Sequence, residues 1–188
     1  MCCELLGLSI DSNASHLAWV YDIYKTTGVT VPFPIVADRD AKIAMKYGMI
    51  APNTSSTKTV RCVFIICPEG HIRAILTYPL TTGRNISEIL RIVEALQMAD
   101  KQKVATPAGW MPGQPVIVPA PTTYSELIDR VKNCSEYMCI NWYLCFKNDM
   151  NSTMGSNSNM FCPDNMRLDD SNNTSINLKE IPSQKKNY

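Results

Sequence analysis

The sequence predicts an α/β fold, and three observations carry it. Short β-rich runs alternate with helical periodicity from Leu5 to about Ala99. Cap and turn residues mark each change of period. With 45% hydrophobic residues, 188 residues suffice for one core and a small second lobe. In order, "ELLGLSI" reads as a buried strand, and Ser12 is placed to cap an amphipathic helix, "SHLAWVYDIYKTTG", that stops near Gly28. "VPFPIVAD" gives a second short strand ending at Asp38, followed by the brief helix "AKIAMKYG" closed by Gly48 and a polar loop, "APNTSSTK". Two β-rich runs in "TVRCVFIICPEGHIRAILTYP" are joined by Pro68-Glu69-Gly70, a hairpin signal. The helix "NISEILRIVEALQMADKQ" follows, apolar at 86, 89, 90, 92, 93 and 96.

Beyond this helix the character changes. "KVATPAGWMPGQPVIVPAPTTYSEL" holds five of the twelve prolines and is expected to run extended, as an arm packed on another surface and without a core of its own. After Phe146 the chain is rich in Asn and Ser with no sustained period, which predicts disorder. The expected divisions are 1–99, a partial core; 100–147, the arm; and 148–188, the tail.

Net charge is +1 with no long basic run, so the footprint of a nucleic-acid or anionic-membrane binder is missing. No apolar run approaches the roughly 20 residues of a membrane span, and "MCCELLGLSI" resembles no secretory signal. A cytoplasmic protein is expected, and a reducing compartment keeps most thiols free. Of the eight cysteines, Cys62 and Cys67 lie in a strand-like run, where a free cysteine acts as a small buried hydrophobe. The dense stretch "CSEYMCINWYLCFK" admits a metal site, a structural disulfide or a redox thiol. Its C-x4-C-x5-C spacing fits no common zinc pattern and neither histidine is near in sequence, so no metal is expected; redox chemistry stays open. "GLSID" lacks the second glycine of a hydrolase nucleophile elbow, Asp11 standing in its place.

Strand, helix, strand, helix, hairpin, helix is the order of the second part of a thioredoxin-like α/β sandwich, one incomplete at its N-terminus. "ELLGLSIDSNASHLAWVYDI", "PFPIVADRD", "YPLTTGRNISEILRIVEALQ" and "VATPAGWMPGQPVIV" together resemble the peroxiredoxins, in particular the long one-Cys and archaeal-type members, over about Leu5 to Lys147. The resemblance implies a thioredoxin-like core and a C-terminal arm that crosses to a neighbouring subunit. It implies a thiol peroxidase acting on hydrogen peroxide and organic hydroperoxides in antioxidant defence, with no cofactor. The implied partners are a homodimer or higher ring built through the arm and a thioredoxin-like or other thiol reductant. Nucleic acid and membrane are not among them.

In that family the peroxidatic cysteine sits in a P-x-x-x-T-x-x-C motif upstream of the strand that here reads "LLGLSI". The motif does not occur in these 188 residues, and Cys2 and Cys3 lie too close to the strand to occupy its helix. The expectation is a fragment without the peroxidatic cysteine, with one sheet face uncovered. By the resemblance Arg61 contacts the peroxidatic thiolate, Arg84 orders the active-site loops beside Gly83, Cys145 is the resolving cysteine, and Cys139 is an accessory thiol. The arm would bury Trp110, Trp142 and Tyr143 against its neighbour. A catalytically inactive dimerisation module is the alternative reading.

Overall fold

The computed structural model describes residues 3–50 and 60–148. The expected loop over 51–58, Cys2, Cys162 and the expected tail from 149 onward lie outside the described residues. Two compact units are present, one up to Leu96 and one from Gln97.

The first unit begins with strand β1 (Gly7–Ser9) and helix α1 (Asn13–Thr27), followed by β2 (Ile35–Ala37), which pairs parallel to β1. Helix α1 starts where its cap chemistry dictates: the Ser12 hydroxyl oxygen accepts from Ser15 N–H at 3.2 Å. It ends where Gly28, at φ 73°, takes the left-handed conformation and donates to the Tyr24 carbonyl. The strand is shorter than "ELLGLSI" predicts, and Leu5 and Leu6 are exposed. Gly7 N–H bonds the Pro34 carbonyl at 2.9 Å, and Pro34 has no N–H to return, so the ladder starts there. Nor does α1 bury a face among the described residues: Leu17, Trp19 and Tyr21 are exposed.

Asp38, buried at the end of β2, turns the chain into α2 (Lys42–Lys46). Its carboxylate accepts from Ile43 N–H at 3.0 Å and from Ala44 N–H at 2.7 Å, two donors that a helix start leaves without intrahelical partners. Ala41, Ala44 and Met49 form a small core here, with Leu8, Ile10, Ile50, Cys62 and Phe64 packed against it. Strands β3 (Arg61–Ile66) and β4 (Ile72–Tyr78) form the expected hairpin, with Gly70 at φ 83° in the turn. Helix α3 runs over Ile86–Gln102.

The second unit departs from the expectation of a coreless, extended arm. Strand β5 (Val116–Val118) joins β6 (Met138–Asn141) and β7 (Leu144–Lys147) in an antiparallel sheet of order β5-β7-β6. Helix α4 (Tyr124–Lys132) lies between β5 and β6 in sequence. Val104, Trp110, Val116, Cys139 and Cys145 are buried. The prolines do not prevent this, because they fall in the turns and edges around β5 while the sheet forms between segments they do not interrupt. Trp110 is therefore occupied within its own unit, whereas Trp142 and Tyr143 at the β6–β7 turn are half exposed.

Helix α4 opens with a capping box. The Thr123 hydroxyl oxygen accepts from Glu126 N–H at 3.2 Å, and the Glu126 carboxylate accepts from Thr123 N–H at 3.2 Å. Glu126 also takes the Thr122 N–H at 2.7 Å and the Thr122 hydroxyl at 2.9 Å. These bonds, the Thr122 backbone bond foremost, hold its carboxyl below the ordinary 4.5. Folding thus favours the carboxylate, so the stabilisation is complete above about pH 4.5 and is lost as pH falls below it. Hydrogen-exchange protection of the first turn of α4 should drop as pH falls below about 4.5, where the carboxyl takes up its proton. Glu126→Gln should remove that dependence, and Thr123→Ala should cost about 1 kcal/mol at neutral pH.

Candidate functional site

Arg61 and Arg84 come together at the open end of the β3–β4 hairpin. Arg61 begins β3 opposite Tyr78, the last residue of β4. Its Nη1 donates to the Thr82 carbonyl at 3.1 Å, in a turn closed by Thr82 N–H on the Pro79 carbonyl at 3.0 Å. Arg84 reaches back the other way, Nη2 donating to the Cys62 carbonyl at 3.5 Å. The strand start and the loop after β4 are thus bridged twice, by side chains from opposite partners. A guanidinium carries five N–H donors in a fixed plane, so one carbonyl bond leaves each able to bind an anion or a thiolate. Gly83 lies outside the left-handed region, so its place beside Arg84 rests on no special backbone angle.

Cys139 and Cys145 sit in the second unit and are joined by a disulfide, S–S 2.07 Å. Of the readings the sequence leaves open for this stretch, a disulfide is the one seen, and strand geometry accounts for it. The two residues are cross-strand partners of the β6–β7 hairpin, with Cα atoms 4.0 Å apart, so their side chains leave the same face of the ladder. A bulge at Ile140 makes this register work: Cys139 faces Cys145 and Asn141 faces Leu144, leaving Ile140 as the extra residue, 68% exposed. Val131 and Tyr137 pack against this pair. Arg130 lies over the Tyr137 ring, 4.9 Å from its centroid, while donating to the Pro119 carbonyl at 3.0 Å.

The two sulfurs are not equivalent. Cys145 is 0% exposed, and its Sγ lies 3.4 Å from the Asn141 carbonyl oxygen; a disulfide sulfur has no proton to donate, but the reduced thiol would find an acceptor there. Cys139 is 5% exposed and lines an apolar groove of about 450 Å³ with Pro107, Pro115, Met138, Ile140 and Phe146. The pairing had a sequence signal that compartment reasoning obscured: "CINWYLC" places two cysteines either side of a two-residue turn, Trp142-Tyr143.

The arginine pair and the disulfide lie in different units. The side chain of Cys134 lies outside the described residues. No helix among the described residues is long and apolar enough to cross a membrane.

Residues 2–75 match the AhpC/TSA family, and residues 95–133 match the C-terminal domain of 1-Cys peroxiredoxin. Peroxiredoxin 2 of Caldanaerobacter subterraneus subsp. tengcongensis is 60% identical over 144 residues, which are 77% of this chain and 65% of that protein. The match thus spans just under two thirds of that relative's length. A peroxiredoxin of Aquifex aeolicus is 49% identical over 154 residues, covering 77% of this chain and 68% of its own. Among solved structures, the yeast mitochondrial 1-Cys peroxiredoxin superposes with a TM-score of 0.67 at 39% identity, over 78% of this chain and 70% of that one. Peroxiredoxin 6 of Arenicola marina, solved as a cysteine-to-serine mutant, gives 0.65 at 37% identity over 79% and 71%. The architecture is the thioredoxin-like α/β fold of these solved relatives. The chain belongs to the peroxiredoxin family.

Proposed function

We propose that the chain serves thiol-dependent reduction of hydrogen peroxide and organic hydroperoxides, with Cys145 as resolving thiol and Cys139 as its exchange partner. Arg61 and Arg84 serve the peroxide side. The observation that supports this most is the Cys139–Cys145 bond, a redox couple in one hairpin of a peroxiredoxin chain.

The chemistry runs in three exchanges. A peroxidatic thiolate attacks the O–O bond, takes one oxygen to become a sulfenic acid, and releases water or an alcohol. Guanidinium groups such as Arg61 and Arg84 lower the cost of the thiolate and of charge on the departing oxygen. The Cys145 thiolate then attacks the sulfenic sulfur; an S–S bond forms, and hydroxide leaves and is protonated to water. Cys139 next attacks the Cys145 sulfur, the peroxidatic thiolate departs, and the Cys139–Cys145 disulfide is the product. A dithiol or small-thiol reductant reopens it through Cys139, the residue that lines the groove. The solved yeast relative is described with glutathione and thioredoxin systems, and a reductant of that chemistry is the one proposed here. The sulfenic acid forms on the cysteine of a P-x-x-x-T-x-x-C motif, which these 188 residues do not contain.

In this reading residues 1–99 are the core, 100–147 the dimerisation arm and 148–188 a tail, working in the reducing cytoplasm. The oligomer forms through the second unit, with Trp142 and Tyr143 offering half-exposed aromatic surface to a neighbour.

The test mixes this chain, first reduced, with a full-length relative lacking its own resolving cysteine and adds peroxide. With Cys139 replaced by Ser so that the hairpin disulfide cannot close, an intersubunit disulfide to Cys145 should appear on a non-reducing gel and be abolished by Cys145→Ser but not by Cys134→Ser. A band that survives in Cys145→Ser would refute the assignment.

A further inference from the structure

The β3–β4 turn carries a thiol and an imidazole that the peroxidase reading does not use. Cys67 Sγ lies 3.9 Å from His71 Nδ1. The contact is held by the backbone: Cys67 N–H donates to the His71 carbonyl at 3.0 Å, and Gly70 N–H to the Cys67 carbonyl at 2.9 Å. Pro68 and the left-handed Gly70 fix the turn between them. Cys67 is only partly buried and His71 is exposed. This corrects the sequence expectation of a buried, inert cysteine: β3 ends at Ile66, so Cys67 stands beyond the covered part of the strand.

The other free cysteines among the described residues have no such neighbour. Cys62 Sγ faces the Thr77 hydroxyl at 3.7 Å and packs on the core of the first unit. Cys3 meets only a carbonyl oxygen, that of Glu4, at 3.7 Å. Neither partner takes a proton near neutral pH, whereas an imidazole nitrogen does. Thiol exchange is limited by that proton, because the thiolate is the nucleophile.

We infer that Cys67 is a thiolation site, with His71 as its proton acceptor and a low-molecular-weight disulfide as its substrate. The Cys67 S–H proton passes to His71 Nδ1 as the sulfur attacks one sulfur of the disulfide. A mixed disulfide forms on Cys67, the second half leaves as a thiolate, and the imidazolium returns the proton to it. One disulfide is exchanged for another, with no net oxidation. The site is independent of Cys139 and Cys145.

The experiment treats the whole chain, internal disulfide intact, with hydroxyethyl disulfide at about pH 7 and follows thiolation of each cysteine by fragmentation mass spectrometry. Cys67 should react ahead of Cys62 and Cys3, and Cys67→Ser should remove the fast phase. Because an ordinary thiol is only a few per cent ionised at about pH 7, a proton acceptor has room for about a tenfold effect. His71→Ala should therefore slow Cys67 about tenfold while leaving Cys62 unchanged, and free imidazole added to that variant should restore the rate. His71→Gln, which accepts a hydrogen bond but takes no proton, should behave as His71→Ala. The inference is overturned if Cys67 reacts no faster than Cys3, if either variant stays within about twofold of the parent, or if imidazole restores nothing. Each of these results would leave the Cys145 test untouched, so the two readings fail separately.

Discussion

Trp110→Ala is expected to destabilise the second unit by about 3–5 kcal/mol, the range for emptying a large buried aromatic site. Trp110 is 1% exposed, and its Nε1–H donates to the Gln114 carbonyl at 3.0 Å. Its own N–H closes a turn on the Pro107 carbonyl at 3.1 Å, and Met111 N–H bonds the Gln114 side-chain oxygen at 2.9 Å. The indole is thus the piece around which a proline-rich loop folds back, and neither helix nor strand is there to hold that loop if it is removed. Trp110→Phe keeps most of the apolar area but leaves the Gln114 carbonyl short of a partner, so about 1–2 kcal/mol is expected. Urea unfolding followed by amide protection in 104–147 separates the two variants. A loss under about 1 kcal/mol for Trp110→Ala would mean that the loop is held by something else.

The elements read correctly from sequence are those whose cause is local. Ser12 and Gly28 bracket α1 because a hydroxyl three residues before a free N–H, and a residue able to adopt positive φ, act within one turn of chain. Pro68-Glu69-Gly70 marks the hairpin for the same reason. What was misread depends on partners distant in sequence. Leu5 and Leu6 look like strand residues until the ladder is seen to start at Gly7. The prolines of 107–121 look like an extended arm until β5 is found beside β7, which follows only after α4 and β6. Arg61 and Arg84 were singled out through family resemblance alone, since nothing local separates a strand arginine that bridges to a loop from one that points into water. A disulfide was among the sequence readings of this stretch, but its pairing was not, because register decides it: Cys139 and Cys145 are neighbours before any redox chemistry begins.

That neighbourhood sets the second large effect, which concerns Cys139. If Cys145 resolves a sulfenic acid on another chain, the mixed disulfide it forms sits 4.0 Å, Cα to Cα, from Cys139. Well-oriented intramolecular attack can correspond to effective molarities up to about 10⁵ M, and even about 1 M would outrun a millimolar external thiol about a thousandfold. With Cys139 present the mixed disulfide is therefore short-lived, and the hairpin disulfide accumulates in its place. Cys139→Ser removes the inner nucleophile but leaves Cys145 able to react. The intersubunit band should then persist, cleared only by external thiol, at a rate proportional to its concentration. Cys145→Ser should give no band at all. These opposite outcomes distinguish an exchange relay from a structural staple, because a staple lost from either end would change stability alike and trap nothing. A band that decays equally fast in Cys139→Ser and in the parent chain would assign Cys139 a structural role and leave Cys145 to act alone.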